Sequence, residues 1–352
     1  MVSQSHAAAV NLGNGQAGDR ILVDRILIND WHVVAKADDL KPSTLLKVRL
    51  LDTDLVLWRG DNTPVCAWED RCPHRSVRLS NGRVVGDTLV CSYHGLAYAP
   101  QGHCVKVPAH PEYTPPKQAC IRTYLAQERY GLIYVCLGEP AQDIVAFPEW
   151  DDPTYRCYMT GPYHIRSNGL RAIENFLDVA HFPFIHTGIL GDLDKPEIQD
   201  YDVTINEHGV CARNIRVWQP DPYGMGKGDY VSYDYWAFRP LTAYLRKYGP
   251  SGECLTLLYH VAPVSETECI SWMSGALNYG HDISESDIMA YQDKIVLQDL
   301  KNLESHNPQH LPLDGNAEFH LPSDRTSLMY RKWLKQLGIS YGVNTNPSCS
   351  TT

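Results

Sequence analysis

Residues 72–94 read CPHRSVRLSNGRVVGDTLVCSYH. Each end of the run carries one cysteine and one histidine: Cys72 and His74, then sixteen residues, then Cys91 and His94. Four such side chains on two turns can close around metal. Zinc accepts a Cys₂His₂ set, but its usual spacings put cysteine with cysteine and histidine with histidine. One thiolate and one imidazole per turn suit a [2Fe–2S] cluster in which two thiolates hold one iron and two imidazoles the other. Neutral imidazoles in place of anionic thiolates favour the reduced state, raising the potential to roughly -150 to +300 mV from about -400 mV. Pro73 stiffens the first turn, and Gly95 after the last ligand lets backbone approach closely. Cys66 and Cys104 flank the motif, fit no ligand position and read as core thiols.

Working outward, the texture from Arg20 to about Tyr155 is that of short strands: Trp31–Val34, Leu55–Trp58, Val65–Trp68 and Leu132–Cys136, punctuated by Gly, Pro, Asn and Asp. The segment FPEWDDP (147–153) is the natural boundary. Beyond it come a helical stretch at Ala172–Ala180, alternating aromatic-rich strands at Tyr230–Phe238, Thr256–Val261 and Glu268–Met273, and helices through Glu285–Glu304 and Met329–Leu337. The expected architecture is α+β: a small all-β domain (20–155), then a domain with one large antiparallel sheet and helices (156–342). Residues 1–19 and 343–352 read as tails.

A second constellation lies in ENFLDVAHFPFIH, residues 174–186. Asp178 and His181 are three apart, nearly one face of a helix. His186 lies about 140° from His181 on an ideal helix, so Pro183 is expected to bend or end the helix and swing His186 round. Two histidines and a carboxylate would make the facial triad of a non-haem Fe(II) site. The late helix offers Asp287, Asp293 and Asp299. On a wheel with Ile288 at zero, Asp299 falls at about 20°, inside the apolar stripe, and Asp293 at about 140°, on its edge. A carboxylate in an apolar stripe asks for a cation, which selects Asp299.

These motifs together resemble those of the Rieske non-haem iron oxygenases. Cys72, His74, Cys91 and His94 match the cluster ligands. Asn175-x2-Asp178-x2-His181-x4-His186 looks like the mononuclear-iron motif, and Asp299-x3-Leu303-Glu304 like the late carboxylate signature. One departure is Leu96, where many relatives carry Trp. ILINDWHVVAKADDLKP, QERYGLIYVCLGEP and HFPFIHTGILGD resemble small oxygenase subunits that demethylate dicamba, vanillate or caffeine, and above all hydroxylases of saxitoxin biosynthesis. The resemblance implies a helix-grip catalytic domain, a homotrimer, O₂ as co-substrate, and catalytic roles for Asn175 and Asp178. Asp178 would bridge His181 of one subunit to the cluster histidine of the next. The implied activity is hydroxylation of a C–H bond in a small polar heterocycle, with oxidative O- or N-demethylation as the alternative. The expected pocket is the inner sheet face, with the 186–200 loop at its mouth. An electron carrier without a catalytic site, or a zinc-binding interaction protein, are the rivals from other classes.

Composition narrows the partners. Lys plus Arg total 31 against 41 Asp plus Glu, with no basic stripe, which argues against nucleic acid. No run approaches eighteen apolar residues, and the start lacks the charged and apolar regions of a secretory signal, so a cytoplasmic protein without membrane contact is expected. Eleven cysteines, an odd number scattered along the chain, suit reduced thiols better than a disulfide framework. The sequence holds no flavin or nicotinamide fingerprint, so electrons are expected from a separate reductase or ferredoxin.

Overall fold

The computed structural model describes residues 24–222 and 226–344. After a short helix α1 (Arg25–Ile28), ten strands follow: β1 (His32–Lys36), β2 (Thr44–Leu50), β3 (Thr53–Arg59), β4 (Cys66–Glu69), β5 (Arg83–Val85), β6 (Thr88–Val90), β7 (Ala97–Tyr98), β8 (Cys104–Lys106), β9 (Thr123–Arg129) and β10 (Leu132–Cys136). They form a six-stranded sheet in the order β1-β10-β9-β4-β3-β2 and a four-stranded sheet β5-β6-β7-β8. The β2–β3 hairpin turns on Leu51 and Asp52, both at positive φ (47° and 59°), as a two-residue hairpin of this twist requires. Neither is glycine. Their amides offset the strain by donating to the carbonyls of Pro263 (2.7 Å) and Val264 (3.1 Å) in the second half of the chain.

That half is built on one antiparallel sheet: β11 (Arg156–Ile165), β12 (Asp202–Asn206), β13 (Gly209–Gln219), β14 (Asp229–Arg239), β15 (Thr242–Tyr248), β16 (Cys254–Ser265) and β17 (Glu268–Leu277). Its order is β11-β17-β16-β15-β14-β13-β12. Helix α2 (Gly169–Leu177) starts at Asn168, whose side chain accepts the Leu170 amide at 2.8 Å, and buries Leu170, Ile173 and Leu177 against the sheet. A short α3 (Phe182–Ile185) follows. Helix α4 (Glu285–Leu303) is capped by Ser284, with Glu285 and Asp287 in the first turn where the helix dipole favours anions. Helix α5 (Arg325–Leu337) ends at Gly338 in the left-handed conformation.

The α+β architecture agrees with the sequence reading. Two details do not. The helix expected over 172–180 stops at Leu177, because Asp178 adopts extended angles (φ -89°, ψ 131°) and its carboxylate turns back onto the Ala180 amide. Residues 343 and 344, expected to open a tail, are paired instead: β18 (Leu311–Pro312) runs parallel to β19 (Val343–Asn344), and two backbone bonds, Leu311 N–H to Gly342 and Leu313 N–H to Asn344, satisfy groups that a tail would leave to water. The tail expected over 1–19 lies outside the described residues, as does 345–352.

One apolar core runs through both halves, joining Val33, Leu132 and Tyr134 to Leu257, Tyr259 and Val261. A smaller core of Val56, Trp58, Trp68, Leu79, Leu89, Leu96, Tyr98 and Ile121 encloses Cys72 and Cys91. Leu96 therefore fills the space beneath the second turn. Among the described residues no helix is long and apolar enough to cross a membrane.

Candidate metal centres

Two tight turns present the first set of donors. The Cys72 amide donates to the Val77 carbonyl at 2.8 Å, and the Ser76 amide to Cys72 at 2.9 Å. The second turn repeats the pattern: Cys91 N–H to Leu96 at 2.9 Å and Gly95 N–H to Cys91 at 3.1 Å. Gly95 sits at φ 69°, and a β-carbon there would press on Pro108 at 3.2 Å. The turns bury both sulfurs and leave both imidazoles exposed, with their Nδ1 atoms converging to 3.2 Å. Burial pushes the Cys91 thiol up, and neighbouring Cys72 adds to the rise. Two buried thiolates side by side need a cation between them, and two facing imidazole lone pairs need one as well. The donor set fits a cluster with sulfur inside and nitrogen outside. The Tyr98 hydroxyl, unforeseen from sequence, lies 3.2 Å from Cys72 Sγ and donates to it once the sulfur is a thiolate.

The second set is assembled from three segments. His181 precedes α3 and His186 follows it, with Pro183 in the first turn, where its missing N–H costs nothing. Pro183 therefore starts a new helix rather than kinking an old one; the break itself falls at Asp178. Across the chain, α4 carries Asp299 into the same space. Its Oδ1 lies 3.2 Å from His186 Nε2 and 3.5 Å from His181 Nε2, while the two Nε2 atoms are 3.3 Å apart. All the candidate ligand atoms fall within 4.8 Å of one another.

The outer nitrogens fix the tautomers. His181 Nδ1–H donates to Asp178 Oδ2 at 3.1 Å, and His186 Nδ1–H to Gln298 Oε1 at 2.9 Å. Both Nε2 lone pairs are thereby left facing Asp299 Oδ1, which is buried and has no hydrogen-bond donor. Three electron-pair donors aimed at one point, with no proton among them, fit a divalent metal. Asp293 is elsewhere, accepting the Tyr163 hydroxyl at 2.5 Å. Asn175, on α2, is half-buried and meets the site through its carbonyl, which accepts the Asp178 amide at 3.2 Å. Gln298 was not foreseen: adjacency to Asp299 is its only signal, and helix neighbours do not share a face. Arg166 clamps Glu304 beyond the end of α4, its Nη2 donating to Oε2 at 2.9 Å.

The family model for the Rieske [2Fe-2S] domain matches residues 30–125, and that for the vanillate O-demethylase oxygenase C-terminal domain matches 165–338. A methylxanthine N1-demethylase of Pseudomonas putida is 32% identical over 332 residues, covering 90% of this chain and 92% of that protein. The vanillate O-demethylase oxygenase subunit of a Pseudomonas species is 28% identical, covering 88% and 94%. The solved structure of the Pseudomonas putida demethylase NdmA with caffeine superposes with a TM-score of 0.75 and 29% identity, over 88% of this chain and 90% of that one. Two metal-ready donor sets, the order of the two matched domains and similarity along nearly the whole length agree: the chain belongs to the Rieske oxygenases, as an oxygenase (alpha) subunit with a [2Fe–2S] cluster, a mononuclear iron and O₂ as co-substrate.

Proposed function

We propose that this subunit is the oxygenase of an oxidative demethylase acting on an N- or O-methyl group of a small, flat heteroaromatic substrate. The sequence reading put hydroxylation of a saxitoxin-like substrate first; the names of the relatives favour its alternative, demethylation. The observation that carries the catalytic reading is the orphaned Asp299 oxygen facing two imidazole lone pairs. In this reading Cys72, His74, Cys91 and His94 hold the cluster, and His181, His186 and Asp299 hold the iron.

When bound, the iron supplies O₂ activation, drawing electrons through the cluster from a separate reductase. The balance is R–NCH₃ + O₂ + two electrons + two protons giving R–NCH₂OH and water, after which the C–N bond breaks to R–NH and formaldehyde. The chain's own groups orient the parts. Asp178 and Gln298 hold the imidazole tautomers, and Phe182, 5.0 Å from His181 and 5.8 Å from His186 between ring centroids, keeps water from their apolar side.

The assembly we infer is a head-to-tail ring. Exposed Arg71, Arg75, Arg83 and Lys106 surround the cluster turns, and exposed Asp194, Glu197, Asp200 and Asp202 follow His186. Tyr93, which lies against His94 at 4.0 Å and is 60% exposed, would be covered by the next copy. The Asp178 carboxylate, still 29% exposed, has an oxygen available to a neighbour's His94.

The test is turnover of N-methyl and O-methyl heterocycles and arenes with a Rieske reductase, measuring formaldehyde against O₂ consumed. Stoichiometric formaldehyde supports the reading; an oxygenated product with its methyl retained would replace it with the hydroxylase.

A further inference from the structure

Helix α2 leads into the proposed iron ligands, and its flank carries a buried group of four charges. Arg171 and Glu174 stand on α2, Arg331 on α5, and Glu318 on the segment that joins α4 to α5. Arg171 is 3% exposed and Arg331 7%. Arg331 grips Glu174 with two parallel bonds, Nε to Oε1 at 2.5 Å and Nη2 to Oε2 at 2.9 Å, and its Nη2 also donates to Glu318 Oε2 at 2.6 Å. Arg171 closes the ring from the other side. Its Nη2 donates to Glu318 Oε1 at 2.8 Å and to the Pro308 carbonyl at 3.3 Å, and its Nη1 to Glu174 Oε2 at 3.4 Å. The four charges cancel. Burial works against ionisation of Glu318, yet the two guanidiniums outweigh it and hold the carboxyl down at about 2.

Stability alone does not account for such a quartet. Well-packed apolar side chains of the same volume are commonly as stabilising as a buried ion pair, or more so. Here the guanidiniums also leave Arg171 Nε and Arg331 Nη1 buried without an acceptor. What the ions supply is direction. Leu170, Ile173 and Leu177 hold α2 to the sheet through apolar contacts, which have no preferred angle. Forked guanidinium–carboxylate bonds fix orientation as well as distance.

The placement of the quartet gives that direction a use. Glu174 lies one turn before Asp178, where α2 ends, and Asp178 orients the His181 ring. Pro308 and Glu318 lie on the stretch that follows α4, the carrier of Asp299. The quartet therefore ties together the two stretches of chain that bring His181 and Asp299 to 3.5 Å.

We propose that Arg171, Glu174, Glu318 and Arg331 are positioning residues of the mononuclear metal centre. They set the roll of the last turn of α2, and so the placing of Asp178 and His181 against Asp299. This role rests on His181, His186 and Asp299 being the iron ligands and is independent of which substrate is oxidised.

The test is Fe(II) titration, by chelator competition, of the full-length oxygenase with its cluster in place and its mononuclear iron removed. Working well below every melting transition makes the affinity report the folded site. Glu174→Leu combined with Arg331→Met removes one carboxylate and one guanidinium together, so Arg171 and Glu318 stay paired and no charge is stranded. This double variant should melt within about 4 °C of wild type. It should nevertheless bind Fe(II) about tenfold more weakly, which a merely structural tie would not cause. Glu318→Gln, a milder change on a side chain still 34% exposed, should weaken Fe(II) about threefold. Wild-type affinity in the double variant, or in Glu318→Gln where the double variant does not fold, would overturn the positioning role. Asp299→Asn is the control for the centre itself. Full affinity there would remove the metal reading, whereas loss there beside wild-type affinity in the double variant overturns the positioning role alone.

Discussion

The two donor sets are built by opposite means. The cluster turns draw four donors from 23 consecutive residues, 72–94, each turn closing on itself by short amide–carbonyl bonds. The triad draws two donors from the ends of α3 and its third from α4, 113 positions beyond His186. Local backbone geometry therefore shapes each turn of the first, and a small shared core sets the two side by side, whereas the second exists only when a helix docks on a sheet. The contrast teaches that the cluster set should survive damage to the catalytic sheet, while the triad should fail with any shift of α4.

The largest test of that independence is His181→Ala or Asp299→Ala. Each should lose about one iron in three and at least a thousandfold in turnover, with the cluster's visible absorption intact. Asp293→Asn, on the same helix but bonded to Tyr163, should keep its iron. Bleaching of the cluster in either alanine variant would dissolve the separation; iron and sulfide assays with a visible spectrum measure it.

Next in size is the link between the two sets. Asp178→Asn should retain all iron and the cluster spectrum, yet slow substrate-dependent reoxidation of the reduced cluster by about a hundredfold, read by stopped-flow absorbance. Wild-type reoxidation would leave Asp178 as a turn residue that holds the Ala180 amide and the His181 ring.

The seam between the halves has its own signature. His260 on β16 is buried, accepts the Tyr134 hydroxyl of β10 at 3.1 Å, and is held neutral by burial and by His32, its pKa pushed down to about 3. Because the folded value lies below the unfolded value of about 6.5, this contribution is complete above pH 6.5 and lost as pH falls toward 3. At pH 5 the loss is about 2 kcal/mol, and His260→Gln should flatten the stability–pH slope by that amount. Urea melts at pH 7 and pH 5 compare the two slopes, and an unchanged slope assigns the acid sensitivity elsewhere.

The smallest effect concerns the cluster alone. Tyr98→Phe removes one hydrogen bond to Cys72 Sγ, about 1 kcal/mol, which is about 40 mV for one electron. The potential should fall by that amount while triad iron is untouched, and protein-film voltammetry reads it. A fall in mononuclear iron would couple the two sets after all.

How much was legible follows from the same contrast. The strands at 53–59, 132–136 and 254–277 announced themselves through alternation and turn residues, because side-chain period and hairpin chemistry are local properties. The break at Asp178 did not, since an Asx turn and a helix face both put Asp178 beside His181, and only backbone angles separate them.

By itself, the sequence determined the α+β class, and it brought out the four candidate cluster donors and the apolar stripe that singled out Asp299 among the late carboxylates. Those features depend on spacing within a turn, a strand or a helix, where covalent geometry sets which side chains share a side. Tertiary structure alone decided that Gln298 holds His186, that Tyr98 meets Cys72, and that Arg331 grips Glu174. Those contacts join atoms 26 to 157 positions apart, and what a side chain meets across a core is set by how elements pack, which no local spacing encodes.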